Sequence, residues 1–168
     1  MWTLRVAPLQ TASPAELVAR QLYQTLGGDV AKFTYIDFCA GAGGPTPYIE
    51  KDLNSQLLSQ AGNTPLLSNA ASRSSQNRSL DVGADNGQVK FVLTDIHPHI
   101  PDWTIASKQS DNLSFVSQSV DAANAPAGLT GRDGKKIFRL YNLAFHHFDD
   151  NLGSDILRNT IETADGFG

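Results

Sequence analysis

Hydrophobic residues along the chain fall either into compact runs or into regularly spaced positions, and this pattern predicts strands separated by helices. Residues 33–38 form a short apolar run that ends at a glycine cluster, which predicts the first strand of a buried parallel sheet. Residues 45–61 place leucine and isoleucine at four-residue intervals, which predicts a helix that ends at Gly62. Similar patterns predict further strands over 89–95, 113–116 and 135–143, and further helices over 103–110 and from a cap at Ser154.

The alternation of strands with helices predicts an α/β fold around a mainly parallel sheet with right-handed crossovers. A helix also precedes the first strand, because Ser13 can cap it and Glu16 completes a capping box. We expect residues 1–32 to form an N-terminal helical segment and residues 33–168 to form the α/β domain. Within that domain, residues 62–88 are rich in Ser, Asn and Gly and lack periodicity, which predicts a low-complexity surface insertion.

Composition and charge exclude several classes of protein. The chain has 168 residues, of which 40% are hydrophobic and 18% charged, as in an ordinary globular domain. A formal net charge of −4 gives no electrostatic basis for binding nucleic acid, so we expect a small-molecule partner. The single cysteine, Cys39, favours a reducing compartment. No apolar run approaches the roughly 20 residues of a membrane span, and the N-terminus lacks a secretion signal, so we expect a cytoplasmic protein without membrane contact.

Polar and glycine-rich motifs follow each predicted strand, at the edge where open α/β sheets bind ligands. Residues 37–44 read Asp-Phe-Cys-Ala-Gly-Ala-Gly-Gly, and the glycines let backbone N–H groups approach a ligand. Asp95 ends the second strand, where a carboxylate can accept hydrogen bonds from ribose hydroxyls. After the third strand come Asp121 and Ala122, a carboxylate beside a backbone N–H that can bind the edge of an adenine. Residues 141–148 follow the fourth strand.

Two other classes of nucleotide site fit the glycine loop poorly. The dinucleotide fingerprint G-x-G-x-x-G needs a third glycine where this chain has Thr46. Asp95 also lies well beyond the usual interval of about 20 residues, although an insertion would account for that spacing. A phosphate-binding P-loop is excluded, because no Gly-Lys-Ser/Thr follows the glycines.

Together, the four motifs resemble those of class I S-adenosylmethionine-dependent methyltransferases, in the same order and over residues 33–150. Asp37-x-Cys39-x-Gly41-x-Gly43 is similar to motif I of that family, with Cys39 in place of its first glycine. The resemblance implies a Rossmann-like sheet of strand order 3-2-1-4, methyltransferase activity and S-adenosylmethionine as cofactor. It implies cofactor contacts from Asp37, Cys39, Ala40, Gly41, Gly43, Asp95, Ile96, Asp121, Ala122, Asn142 and Leu143.

The family core has seven strands, whereas four are counted here. The chain ends at residues 166–168, where a fifth strand should begin, so we expect a domain truncated after the fourth strand.

His146 and His147 follow that fourth strand and are candidate catalytic bases, because imidazole titrates near neutral pH. A zinc site joining them to His97 and His99 is an alternative. We favour a rigid loop at those two histidines and expect no metal.

Two other functions stay open beside a small-molecule methyltransferase. A non-catalytic methyltransferase-like remnant or interaction module would follow from missing strands, since an exposed sheet edge favours a homodimer. An RNA ribose methyltransferase is suggested by the loop over 39–44, which is similar to that group. The negative net charge disfavours it, as does the lack of a matching aspartate beside Asn142.

Overall fold

The computed structural model describes residues 3–4, 12–62, 87–126, 128–129 and 134–168. Of the predicted insertion over 62–88, residues 63–86 lie outside this part of the chain. Among the helices it contains, none has the length and apolar character that crossing a bilayer requires.

The sheet has five parallel strands in the order β3-β2-β1-β4-β5, which confirms the predicted α/β, Rossmann-like class. The strands are β1 (Phe33–Asp37), β2 (Lys90–Leu93), β3 (Leu113–Phe115), β4 (Lys136–Leu140) and β5 (Gly166–Phe167). The predicted order 3-2-1-4 holds, and β5 adds one strand beyond it. β5 lies within residues 166–168, where a fifth strand was expected to begin but was not counted, and its Phe167 pairs with Arg139.

Within the described ranges, four α-helices flank the sheet: α1 (Pro14–Leu26), α2 (Thr46–Gly62), α3 (Ile100–Ser107) and α4 (Asp150–Thr163). Ser13 caps α1 as predicted, with its Oγ accepting the Glu16 N–H at 3.3 Å. The predicted Ser154 cap of α4 is wrong. Asp149 caps that helix, because its charged Oδ1 accepts the Leu152 N–H at 2.8 Å, and Ser154 lies inside the first turns.

Two hydrophobic cores cover the two faces of the sheet. On one face, the α1, α2 and α3 helices pack over aromatic residues of the central strands, where Tyr35 and Phe91 stack with ring centroids 4.8 Å apart. The N-terminal helix α1 belongs to this core and packs against α2. On the other face, Ile156 of α4 packs in a smaller core with Ile36 and Val92. All five residues of β1 are buried, so the carboxyl end of β1 is a firmly held position for a functional side chain.

Candidate functional site at the carboxyl edge of the sheet

Backbone hydrogen bonds tie the glycine loop to the ends of three neighbouring strands. The Phe38 N–H donates to the carbonyl of Leu140, the last residue of β4, at 2.9 Å, and the Ala40 N–H donates to the Thr94 carbonyl just beyond β2 at 3.0 Å. The Thr94 N–H donates a hydrogen bond to the Asp37 carbonyl at 2.9 Å. The loop therefore begins where β1, β2 and β4 meet, as the strand-end motifs predict.

The glycine loop has a conformation that few side chains tolerate. Gly41 has a φ of +54° and Gly43 a φ of +105°. A Cβ at Gly43 would meet neighbouring side chains at 3.8 Å, an ordinary contact, so its backbone conformation and not its space requires glycine. The buried Trp103 of α3 holds the loop from the side, because its indole N–H donates to the Gly41 carbonyl at 2.8 Å.

Asp37 is the most unusual carboxylate at this edge. It is fully buried, and its Oδ2 accepts the Thr46 hydroxyl at 2.5 Å. The Thr46 oxygen in turn accepts the Asn142 side-chain amide at 3.0 Å. The other oxygen, Oδ1, is one of two buried side-chain atoms without a hydrogen-bond partner in the described residues. A buried acceptor in this state favours a ligand that brings a donor or a positive charge.

The surroundings of Asp37 raise its pKa to about 7, chiefly because burial disfavours the charged form. The hydrogen bond from Thr46 and the nearby N–H groups of Asn142 oppose this rise, and the charge of Asp95 adds to it. Near neutral pH, Asp37 is therefore poised between its neutral and charged forms, and a bound cation would favour the charged one.

Asp95 holds the loop and keeps acceptor capacity. Its Oδ2 accepts the Gly41 N–H and its Oδ1 the His97 N–H, both at 2.8 Å. Each carboxylate oxygen has two lone pairs, so each retains one acceptor position. Asp95 is only partly buried, and the next residue, Ile96, is exposed. A diol could bridge the two oxygens beside an apolar side chain.

The third predicted acid, Asp121, lies in the loop that follows β3. Its Oδ1 accepts the Ala123 N–H at 2.9 Å and starts a short 3₁₀ turn that includes Ala122. The Val120 N–H donates to the Asp95 carbonyl at 2.9 Å, which brings this loop against the end of β2.

Hydrogen bonds join the loops that carry the three acids, because the Gly41 N–H donates to the Asp95 side chain at 2.8 Å and the Val120 N–H donates to the Asp95 carbonyl at 2.9 Å. The pKa of the Cys39 thiol in the glycine loop is raised to about 11, first by burial and then by the negative charges of Asp95, Asp37 and Asp121. The thiol stays protonated at neutral pH and is a poor nucleophile. The structure therefore brings the predicted β1, β2 and β3 acids to one place.

The residues after β4 divide between the two faces. Asn142 joins Asp37 through Thr46, whereas the Tyr141 hydroxyl bonds to Thr160 of α4 at 2.5 Å. Leu143 follows with a φ of +56° and an exposed side chain. The two predicted bases, His146 and His147, lie exposed on a 3₁₀ turn over Phe145–His147, with ring centroids 3.8 Å apart. They are placed beyond the end of β4, and no hydrogen bond joins them to the three acids in the described part of the chain.

Within the described ranges, no three His, Cys, Asp or Glu side chains come together as a possible metal site. The alternative zinc site would have needed His97 or His99 near His146 and His147, and the fold does not bring these residues together. Instead, the His97 N–H completes a turn on the Asp95 carboxylate.

A cleft of about 630 Å³ lies beside the site, between α2 and α3. It meets the glycine loop at Ala42 and Gly44, but none of the three acids lines it. We place the candidate functional site at the strand ends and not in this cleft, because the buried Asp37 oxygen and the three acids are at the strand ends.

Two residues of the site were not predicted as site residues. Thr46 was considered only as a departure from the dinucleotide fingerprint, yet its hydroxyl links Asp37 to Asn142. Trp103 contacts a residue 62 positions away, and no sequence pattern pairs those positions.

No protein-family model, curated protein or solved structure matches the chain. Its function therefore has to be argued from the chemistry of these residues.

Proposed function

We propose that the chain binds S-adenosylmethionine at the carboxyl ends of β1, β2 and β4 and acts as a methyltransferase on a small molecule. The observation that carries this proposal is the placement of Asp37, Asp95 and Asp121 on adjoining loops at one edge of a parallel sheet, joined by the Gly41 N–H bond to Asp95 and the Val120 N–H bond to the Asp95 carbonyl. A ligand with two positive groups, a ribose diol and an adenine fits three carboxylates at adjoining strand ends.

Each part of the cofactor has a matching group. The open Oδ1 of buried Asp37 suits the ammonium group, and the two oxygens of Asp95 suit the ribose hydroxyls. Asp121 and the backbone of Ala122 suit the adenine edge, and the exposed Ile96 suits its flat face. The remaining contacts come from the loop and from the segment after β4, through Cys39, Ala40, Gly41, Gly43, Asn142 and Leu143.

The bound cofactor supplies a methyl group on a positively charged sulfur. The protein's own contribution is to orient the acceptor, to exclude water and to accept a proton where the acceptor is an alcohol or acid. His146 or His147 takes that proton, since both imidazoles are exposed just beyond Asn142. The cysteine is not required as a nucleophile, because its thiol stays protonated.

A nicotinamide cofactor is the main competitor. Thr46 stands where the dinucleotide fingerprint needs its third glycine, and its hydroxyl is engaged by Asp37 and Asn142. This arrangement favours S-adenosylmethionine. The hydrogen bonds that link Asn142, Thr46 and Asp37 end in a carboxylate, which is an acceptor, whereas a pyrophosphate would need hydrogen-bond donors at this place.

Isothermal titration calorimetry with S-adenosylmethionine and NADH tests the proposal. Asp95→Asn should weaken S-adenosylmethionine binding about tenfold or more, since a charged hydrogen bond contributes roughly 1.5–3 kcal/mol. Asp102→Asn is the matched control, because Asp102 is an exposed acid on α3 whose loss changes the net charge equally. Absence of S-adenosylmethionine binding, tighter NADH binding, or equal effects of the two variants would contradict the proposal.

A second candidate, a non-catalytic interaction module, is favoured by one observation. β5 forms an edge of the sheet, and the side chain of its Phe167 is exposed. Pairing of this edge with a second copy would give a homodimer. Analytical ultracentrifugation tests it, and a monomer at all concentrations would count against that function.

A further inference from the structure

We infer that the acceptor side of the site binds an aromatic ring that carries no negative charge. The inference builds on the proposed function, because it names the class of molecule that would be methylated. The binding of the ring itself does not require the cofactor, so it can be measured separately.

Exposed apolar side chains border the site on the side of β4. Leu143 is 64% exposed and Phe145 is 37% exposed, and both follow Asn142 within three residues. Leu143 and Phe145 lie two residues apart at a polar strand end, where an apolar ligand surface would cover both.

The ring of Phe145 is held in place by a series of aromatic contacts that begins in the core. The buried Phe38 stacks on Tyr141 with centroids 5.7 Å apart, and Tyr141 meets the edge of Phe145 at 5.1 Å. Phe148 supports Phe145 from another side at 5.5 Å. The hydrogen bond from Tyr141 to Thr160 fixes the middle of this series to α4. A ring fixed in advance at the surface binds another ring with little loss of side-chain entropy.

Leu143 adds a second, independent sign of function. It is one of two non-glycine residues with a positive φ in the described part of the chain, and the other is Cys39 in the glycine loop. A leucine in the left-handed region is strained, and such strain concentrates at functional sites. Here the strained conformation presents an apolar side chain to solvent directly beside Asn142.

The charges at this edge disfavour an anionic acceptor. The described loops over 38–45, 94–99, 116–126 and 141–149 contain no lysine or arginine. The acids Asp37, Asp95 and Asp121 make the local potential negative, as their effect on Cys39 indicates. Binding a phosphate or carboxylate normally uses arginine or lysine, so an acceptor bearing either group would be repelled.

Three phenols of matched ring size test the inference by saturation-transfer NMR and amide shift mapping: p-cresol, tyramine and 4-hydroxyphenylacetate. The neutral and cationic phenols should bind and shift the amides of Leu143 and Phe145. The anionic phenol should bind about tenfold more weakly or not at all. Phe145→Ala should weaken the neutral phenol up to about tenfold.

Two more variants guard against a merely structural effect. Leu143→Gly removes the exposed side chain while allowing the same backbone conformation, and it should also weaken the neutral phenol. Ile161→Ala, at an exposed position of α4, should leave binding unchanged.

Failure of both p-cresol and tyramine to bind would overturn the inference, as would equal binding of the anionic phenol or equal effects of Phe145→Ala and Ile161→Ala. If phenols bind but S-adenosylmethionine does not, the methyltransferase proposal alone fails. If S-adenosylmethionine binds but the phenols do not, the inference alone fails.

Discussion

Two buried carboxylates, Asp37 and Glu50, differ in how completely their surroundings satisfy them. Glu50 on α2 accepts the Asn54 amide at 2.7 Å and the Ser110 hydroxyl at 3.0 Å. Both bonds end on Oε1, and Glu50 also lines the cleft between α2 and α3. Asp37 accepts one hydroxyl through Oδ2, and its buried Oδ1 has no hydrogen-bond partner in the described residues. The Glu50 bonds link elements of the fold, whereas the buried Asp37 oxygen at a strand end is suited to a ligand.

The Glu50 network also joins α2 to the sheet. The Asn54 side chain accepts the Val89 N–H at 2.8 Å and donates to the Val89 carbonyl at 3.0 Å, just before β2. The comparison therefore separates a region whose substitutions should affect stability from a region whose substitutions should affect binding.

The largest expected effect is on stability. Asn54→Ala should lower the free energy of unfolding by about 2–4 kcal/mol, because it leaves a buried N–H, a buried carbonyl and Glu50 without this partner. Urea unfolding measures the change. Gln21→Ala is the control, since the Gln21 amide makes one exposed bond to Thr25. Equal effects of the two variants would contradict a stabilising role for the network.

The next effect is a dependence of stability on pH that comes from Asp37. Its folded-state pKa is raised from 3.8 to about 7, so between these pH values the folded protein holds a proton that the unfolded chain has released. Its contribution to stability is therefore greatest below pH 4 and is lost as the pH rises toward 7, by at most about 1.4 kcal/mol per pH unit. Asp37→Asn should remove this slope.

Urea unfolding of the wild type and of Asp37→Asn across this pH range gives the free energy of unfolding of each. The difference between the two curves isolates the contribution of Asp37, because the other titrating groups are common to both proteins. Asp102→Asn should leave the slope unchanged, because Asp102 is exposed. Parallel curves for the wild type and Asp37→Asn would show that Asp37 titrates normally.

The smallest expected effect is at Leu143. Leu143→Gly relieves a left-handed conformation that costs roughly 1–2 kcal/mol, and the greater freedom of glycine in the unfolded chain offsets about 0.5–1 kcal/mol of that gain. Stability measured by urea unfolding should thus stay within about 1 kcal/mol of the wild type. Leu157→Gly, on a regular turn of α4, should lose about 1 kcal/mol or more. A loss of that size at Leu143 would mean that its side chain stabilises the fold.

The sequence was sufficient to predict the layered α/β fold, because the alternation that specifies strands and helices is local. It also predicted where Asp37, Asp95 and Asp121 would lie, since parallel strands direct their carboxyl ends to one edge. The short strand β5 was not counted, although residues 166–168 were predicted as the place where a fifth strand would begin.

Contacts that depend on how a helix is seated on the sheet could not be predicted. The Thr46 hydroxyl reaches Asp37 only because α2 begins directly over the end of β1. The Trp103 indole reaches Gly41 only because α3 packs beside the loop. At the start of α4, Asp149 and Ser154 are both good caps, and the sequence alone did not distinguish them.

The assignment of ligand binding to the strand ends is tested most directly by two-dimensional ¹H–¹⁵N NMR during titration with S-adenosylmethionine. We expect the largest amide shifts at Gly41, Gly43, Ile96 and Ala123, with little change at Ser55 and Gln109 in the cleft between α2 and α3. Shifts confined to that cleft, or a spectrum that does not change, would contradict it.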